Sequence, residues 1–490
     1  MMTNFINRKG VEINTLKDAK KLLVTLIFSL CATLLPAQSG SGDFRLVLAG
    51  DCNLHQKISI YDDPDYLAFY KRIQTADAAF LNIESQVQPE LYPAPGPGSH
   101  AFRSGGIYLY SPDWILDEFK WAGFNLFSVA NNHSFDYGEA GLRASVKAIH
   151  DRRLVYAGAG ENLALARAPR FLDTQHGRVA LIAISSTLLP GSWAGRQRAD
   201  LPGRFGINPL RYQTTYTVKP ETLNVLREVS LLGRPAAFRT GTGNDSPTVR
   251  LGEAVYQAGD EPSVHTQANR QDVEELLASI RDARQQADWV IVTIHAHEGS
   301  PYTKSKSADF LEDFAHKAID EGADVFANHG PMDPRGVELY KGKPIFYGVG
   351  NFAFDGHVQP VQPEERYEQA GLPKNSINSD LWIYSEPDGT DNPIYRPWRQ
   401  ETRESVVYEL IFSPDGKLKQ IALDPISLLW AKGPDAEKKP ETRAFHTRAG
   451  IPGPASPEVA KRVFERITKQ SATLGTKVTV SNGRGFITLE

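Results

Sequence analysis

The feature that most constrains this chain is a pattern repeated where its apolar runs end. A short stretch of β-branched and apolar residues stops, and a residue able to bind a metal follows within a step or two. Phe44–Ala49 leads into Gly50-Asp51, Ala78–Ile83 contains Asn82 and ends at Glu84, and Asn125–Ala130 ends at Asn131-Asn132-His133. Trp289–Ile294 runs into His295-Ala296-His297-Glu298, and Ala323–Ala327 into Asn328-His329. Short apolar runs of this kind read as buried strands. In open α/β sheets, ligands bind beyond the carboxyl ends of the strands. Unrelated stretches delivering Asp, Glu, Asn and His to one edge are what a metal site built on a sheet requires.

Helical patterns lie between the runs. Ile115, Phe119 and Ala122 share a face that stops at Gly123, with Ser111-Pro112 read as N-cap and first helical residue. Gly138–Arg153 carries Leu142, Val146 and Ile149 at helical spacing, Asp272–Gln286 carries Leu276, Ile280 and Ala283, and Ser307–Glu321 is closed by Gly322. Strand alternating with helix predicts a layered α/β domain. Residues 43–430 form that domain in this reading, with insertions near 190–268 and 357–403 where periodicity weakens. Long insertions at the ligand edge commonly shape substrate pockets. Residues 431–490 read as a C-terminal extension of loop, helix and a hairpin turning at Asn482-Gly483.

Composition narrows the classes. The chain carries 54 Lys+Arg against 58 Asp+Glu, a net charge of −4, which gives no support to nucleic-acid binding. Lys17, Lys20 and Lys21 precede the apolar run Leu22–Leu35, followed by Pro36-Ala37-Gln38 and a Ser/Gly stretch. This is the layout of a secretory signal over residues 1–42, and the run is short for a bilayer span. The expectation is export to the periplasm or cell surface, with an uncleaved membrane anchor as the alternative. Cleavage would leave Cys52 alone, excluding an intrachain disulfide. A lone Cys beside a strand end reads as a small buried hydrophobe.

These motifs together carry a family resemblance. Gly50-Asp51, Leu81-Asn82-Ile83-Glu84, Ala130-Asn131-Asn132-His133 with Asp136-Tyr137-Gly138, the His295 region, and Gly350-Asn351-Phe352-Ala353-Phe354-Asp355 occur in the order found in the CapA family. The chain resembles that family, associated with poly-γ-glutamate and capsule synthesis, over nearly all of residues 44–355. Its fold is in turn similar to the calcineurin-like metallophosphatases, so the resemblance implies a two-sheet sandwich flanked by helices. It also implies roles. Asp51 would bind one metal, Glu84 would bridge, Asn132 would ligate the second metal through its carbonyl oxygen, and His295 and His329 would supply imidazoles. His133 would protonate a leaving oxygen, with Asp136 orienting it. Arg103, His297, Glu298 and Asn351 are candidates for substrate contact. Oxygen and imidazole donors without thiolate suit Mn, Fe, Zn or Mg.

Two departures bear on the metal. The parent fold uses Asp-x-His on the first strand, where this chain has Asp51-Cys52-Asn53. The family's late His cluster carries a further His three residues after the position of His329, where this chain has Met332. The expectation is one well-bound divalent ion, held by Glu84, Asn132, His295 and His329. A second position with Asp51 would be weak, unless His297 and Glu298 compensate. Three functions stay open. One is the synthesis, export or anchoring of an anionic envelope polymer such as poly-γ-glutamate, alone or with a membrane synthase complex. The others are metal-dependent hydrolysis of phosphoester or envelope bonds, and polymer binding on a degenerate site. A polyanion handler would present a basic groove, for which Arg196, Arg198, Arg204, Arg211, Arg239 and Arg250 are available.

Overall fold

A computed structural model describes residues 42–89, 107–232, 246–300, 302, 306–360, 362–383, 400–432 and 449–489. Two sheets pack face to face. The ten-stranded sheet runs in the order Val478–Ser481, Arg484–Ile487, Leu418–Ser427, Glu404–Phe412, Phe44–Asn53, Ala78–Ile83, Leu126–Ser128, Val155–Ala157, with Asn351–Phe354 paired to Phe44–Asn53 and Gly453–Pro454 to Leu418–Ser427. The six-stranded sheet runs Val337–Tyr340, Lys343–Phe346, Val325–His329, Trp289–His295, Gly177–Ser185, Arg170–Thr174. Phe44–Asn53 lies parallel to Ala78–Ile83 and to Asn351–Phe354, and Trp289–His295 lies parallel to both its neighbours. Their carboxyl ends therefore share one edge.

The alternation of side chains explains the layers. Phe44, Leu46, Leu48 and Phe80 point into a core shared with Leu181, Trp289, Ile291 and Val325 of the other sheet. Phe44 and Trp289 stack with ring centroids 4.7 Å apart. The residues between them point outward but are also buried. Val47, Ala49 and Leu81 lie under the helices Pro64–Gln74, Ile115–Ala122 and Gly138–Asp151. Ile182, Ile184, Val290 and Val292 lie under Arg270–Gln286 and Asp309–Asp320. Strands covered on both faces have no polar side to show, hence their unbroken apolar runs. The molecule is an α/β sandwich of two sheets flanked by helices, with the metallophosphatase-like layering that the motifs imply.

Some elements differ from the expectation. Ser111 does not cap a helix: Tyr110–Pro112 is a short strand parallel to Gln86–Gln88. The Ser111 hydroxyl pairs with that of Ser85 at 2.7 Å, and the helix begins only at Ile115. A Ser-Pro pair fits a strand end as well as a helix start, because proline's missing N–H is tolerated at both. The stretch near 190–268 contains a four-stranded sheet, in the order Thr248–Leu251, Ala254–Ala258, Tyr212–Val218, Ser263–Ala268, and the helix Pro220–Leu232. At the C-terminus, Arg484–Ile487 pairs with Leu418–Ser427, and Val463, Phe464 and Ile467 of the Pro457–Ala472 helix enter the inter-sheet core. This segment is integral to the sandwich. The run Leu22–Leu35 lies outside the described residues, among which no helix is long and apolar enough to cross a membrane.

Candidate metal centre

Asp51 lies near the carboxyl end of the Phe44–Asn53 strand of one sheet, while His295 and His329 end neighbouring strands of the other and pair in register. Packing the sheets face to face brings the three together. Asp51 Oδ1 lies 3.5 Å from His295 Nδ1 and 3.3 Å from His329 Nδ1, and the two imidazole nitrogens are 3.0 Å apart. The opposite nitrogen of His295 faces a second group: its Nε2 is 3.7 Å from Glu84 Oε1 and 3.1 Å from His297 Nε2. Within each group, Asp51/His295/His329 and Glu84/His295/His297, all donor atoms lie within 4.8 Å of one another.

The nitrogen–carboxylate spacings fit a shared cation better than direct pairing, while the imidazole pairs, at 3.0 and 3.1 Å, are within hydrogen-bond reach. The nitrogen–carboxylate separations exceed a good hydrogen bond. Ligands bound tetrahedrally at about 2.05 Å lie ~3.3 Å apart, which is close to the distances seen. Unpartnered buried atoms surround the cluster. Asn132 Oδ1, His329 Nε2 and both side-chain polar atoms of Asn53 have no hydrogen-bond partner among the described residues. Buried polar atoms are rarely left unpaired, and Asn132 Oδ1 is a hard oxygen of the kind such ions accept.

The electrostatics prepare the donors. Burial pushes the pKa of His295 down to about 4 against a partial upward pull from Asp51, and burial takes His297 down to about 3. Both rings are neutral at pH 7, the form that binds metal. Burial pushes Asp51 up, but the adjacent His295 and His329 rings outweigh it and hold the carboxyl below its ordinary range. Asn82 Nδ2 donates to Asp51 Oδ1 at 2.7 Å, and Gly330 N–H to Oδ2 at 2.7 Å. Gly330 is at φ +114°, with the Ala296 backbone 3.0 Å from where a Cβ would stand, so glycine is needed for that approach. Burial raises the pKa of Glu84, reinforced by the charges of Asp51 and Asp136.

His133 lies beside this cluster on the turn after Leu126–Ser128. Its Nδ1 donates to Asp136 Oδ2 at 2.6 Å, an oxygen that also accepts the Leu109 N–H at 2.7 Å. A carboxylate only accepts, so Nδ1 carries the proton and Nε2 is left for other partners. The turn is pinned by Asn131, whose Nδ2 donates to Ile83 O at 2.8 Å and whose Oδ1 accepts the His133 N–H at 3.0 Å.

The structure groups the candidates differently from the expectation. Asp51 joins His295 and His329 rather than standing apart from them, and His297 faces Glu84 as a ligand candidate rather than a substrate contact. Glu298 turns away to accept from Ser186 Oγ at 2.7 Å and Thr187 Oγ1 at 2.9 Å, and burial raises its pKa. Asn351 pairs with Asp51 in register, and its side-chain nitrogen donates to Thr402 O at 3.4 Å. Arg103 and Arg239 lie outside the described residues. Arg196, Arg198 and Arg211 are paired with Glu275, Asp200 and Asp272, and Arg204 and Arg250 bond to Trp193 O and Gln213 Oε1. The described arginines therefore serve the protein's own acceptors instead of lining a free basic groove. Sequence reasoning assigned no role to Asn82. Its signal was its place two residues before Glu84, level with Asp51 in the strand pairing.

The family model described as bacterial capsule synthesis protein PGA_cap matches residues 45–356. Over 453 residues the chain is 29% identical to the uncharacterized protein y4sH of Sinorhizobium fredii, covering 91% of this chain and 93% of that one. It is 26% identical over 319 residues to the capsule biosynthesis protein CapA of Bacillus anthracis, covering 64% and 62%. A probable polyglutamine synthesis accessory protein of Mycobacterium tuberculosis is 25% identical over 284 residues, covering 57% and 56%. The matched span runs from the first strand to just past Asp355 and takes in both ligand groups and the His133–Asp136 pair. With more than half its length so matched, and the two-sheet sandwich in place, the chain belongs to the bacterial capsule synthesis protein family PGA_cap.

Proposed function

We propose that this protein acts on an anionic envelope polymer of the capsule or poly-γ-glutamate kind, through a metal-dependent hydrolytic site at the edge of its sandwich. The observation that carries the reading is the juxtaposition of two ligand groups sharing His295 with an Asp-oriented histidine. Membership of the capsule synthesis family and the names of the relatives support the polymer. The chain's N-terminal pattern supports export, so that site and polymer would meet outside the cytoplasm, alone or beside a membrane synthase.

A divalent ion bound there would supply Lewis acidity and an acidified water near neutral pH. Asp51, His295 and His329, or Glu84, His295 and His297, would hold it, with Asn132 Oδ1 within the same turn system. Mn, Fe, Zn and Mg all suit these donors. In its doubly protonated form, His133 would give the Nε2 proton to a leaving oxygen while its Nδ1–H stays on Asp136. Asp136 holds its tautomer and orientation, the division of labour of an oriented imidazole acid. Burial of Glu84 and both histidines keeps water from competing for the donors.

A second reading, a polymer-binding protein on a degenerate site, is favoured by Asn53 standing where the parent fold has an imidazole and Met332 where the family has one. Hydrolysis of an aryl phosphate and of poly-γ-glutamate, with Mn or Zn added, separates the two. The hydrolase reading predicts metal-dependent turnover that falls about 10²–10⁴-fold in His133→Ala while metal content is unchanged. A metal-loaded wild type with no turnover on either substrate, but with measurable polymer binding, would favour the binder.

A further inference from the structure

We infer that His297 is a metal ligand of this chain, providing from the loop after the Trp289–His295 strand an imidazole beside Glu84 and His295 Nε2. The inference rests on the metal reading above and deepens it.

Three observations carry it. His297 Nε2 is 3.1 Å from His295 Nε2, and Glu84 Oε1 is 3.7 Å from the same nitrogen. These are the separations expected of donors around one ion, ~3.3 Å for tetrahedral ligation. Next, the backbone that carries the ring is held in place by its surroundings. The His297 N–H donates to Thr187 Oγ1 at 2.9 Å, and the preceding strand end is tied back by Ser186 N–H donating to His295 O at 3.0 Å. Glu298 then accepts from both Ser186 and Thr187, clamping the far side of His297 to the end of the Gly177–Ser185 strand. A backbone pinned on both sides of His297 fixes where the ring projects, whereas a residue meant to follow a flexible substrate needs no clamp on both sides. Finally, His295 lies between the groups, with Nδ1 toward Asp51 and His329 and Nε2 toward Glu84 and His297. A neutral imidazole offers one lone pair, so it serves one position at a time. The two positions therefore fill unequally, the outer one depending on Glu84 and His297 for its other protein donors.

Cobalt(II) titration of the full chain, followed by visible absorption and calorimetry, tests this. The variants are His297→Ala and His297→Cys. In His297→Ala one binding step is expected to weaken at least tenfold or disappear. His297→Cys is expected to gain a thiolate-to-cobalt charge-transfer band that the wild type lacks, a readout that reports on whatever fraction is folded. If the wild type binds cobalt, His297→Ala matches it within twofold at every step and the His297→Cys band is absent, His297 is not a ligand and the metal reading stands without it. A wild type that takes up no cobalt would overturn both.

Discussion

His295 is fully buried with donors on both sides, and its neutrality at pH 7 follows from that burial. The consequence can be checked without metal. Above pH 6.5 the ring is neutral folded or unfolded and contributes no pH dependence. Between 6.5 and about 4 the unfolded chain takes up a proton that the folded site refuses, so stability falls with pH. His297 acts in the same direction, down to about 3. Glu84 opposes them: its raised pKa makes the folded state bind a proton first, and the stability that gives is lost as pH rises. Glu298, raised by burial as well, acts with Glu84, so the share of the rings is read by difference. For metal-stripped protein, urea denaturation from pH 6.5 to 4 should show wild type losing more stability than His295→Ala, the His295 share being roughly 3 kcal/mol by pH 4. In Glu84→Gln the wild-type drop should be steeper. Parallel profiles for wild type and His295→Ala would mean that the ring is not buried neutral. Legibility also ends at this scale. The ligand residues could be read from sequence, but their partition could not, because it depends on which ring nitrogen faces which carboxylate.

At the scale of elements, the site depends on close approach between strand ends. Asp51 N–H donates to Gly350 O at 3.0 Å, and Asp51 pairs with Asn351 in the parallel register. A Cβ on Gly50 would lie 1.6 Å from Gly350 O. Gly50→Ala must therefore push apart the two strands that seat Asp51. It should destabilise the protein by ~3 kcal/mol or more, measured by urea denaturation. A loss below ~0.5 kcal/mol would contradict the register described here. Strand positions were legible because both-face burial writes itself as unbroken apolar runs: Ala78–Ile83 is read with the bounds the structure has. The Ser111 segment was misread for a local reason. The hydroxyl's partner is Ser85, distant in sequence, and no local pattern distinguishes that pairing from a cap. The Asn482-Gly483 turn was legible because its geometry is local: φ is 51° and 75°, the left-handed pair that a two-residue hairpin requires.

For the whole molecule, the sandwich converts separate strand ends into one site. Asp51 and Glu84 come from one sheet, His295, His297 and His329 from the other, and only face-to-face packing over the Phe44–Trp289 core makes them neighbours. The fold was legible from alternating strands and helices. The meeting of the two sheets was legible only through resemblance to a family, since no periodicity specifies which sheet faces which. Within the arginine-rich insertion, Arg196, Arg198, Arg204, Arg211 and Arg250 bond to the protein's own acceptors.

The central claim is that this edge is a metal centre organised around His295. Elemental analysis of the purified protein, after exposure to Mn and Zn and removal of free ions, tests it most directly when paired with His295→Ala. The wild type should hold at least one tightly bound ion per chain and His295→Ala should lose it, with circular dichroism unchanged. A wild type that emerges metal-free, or a variant that retains the full complement, would contradict it.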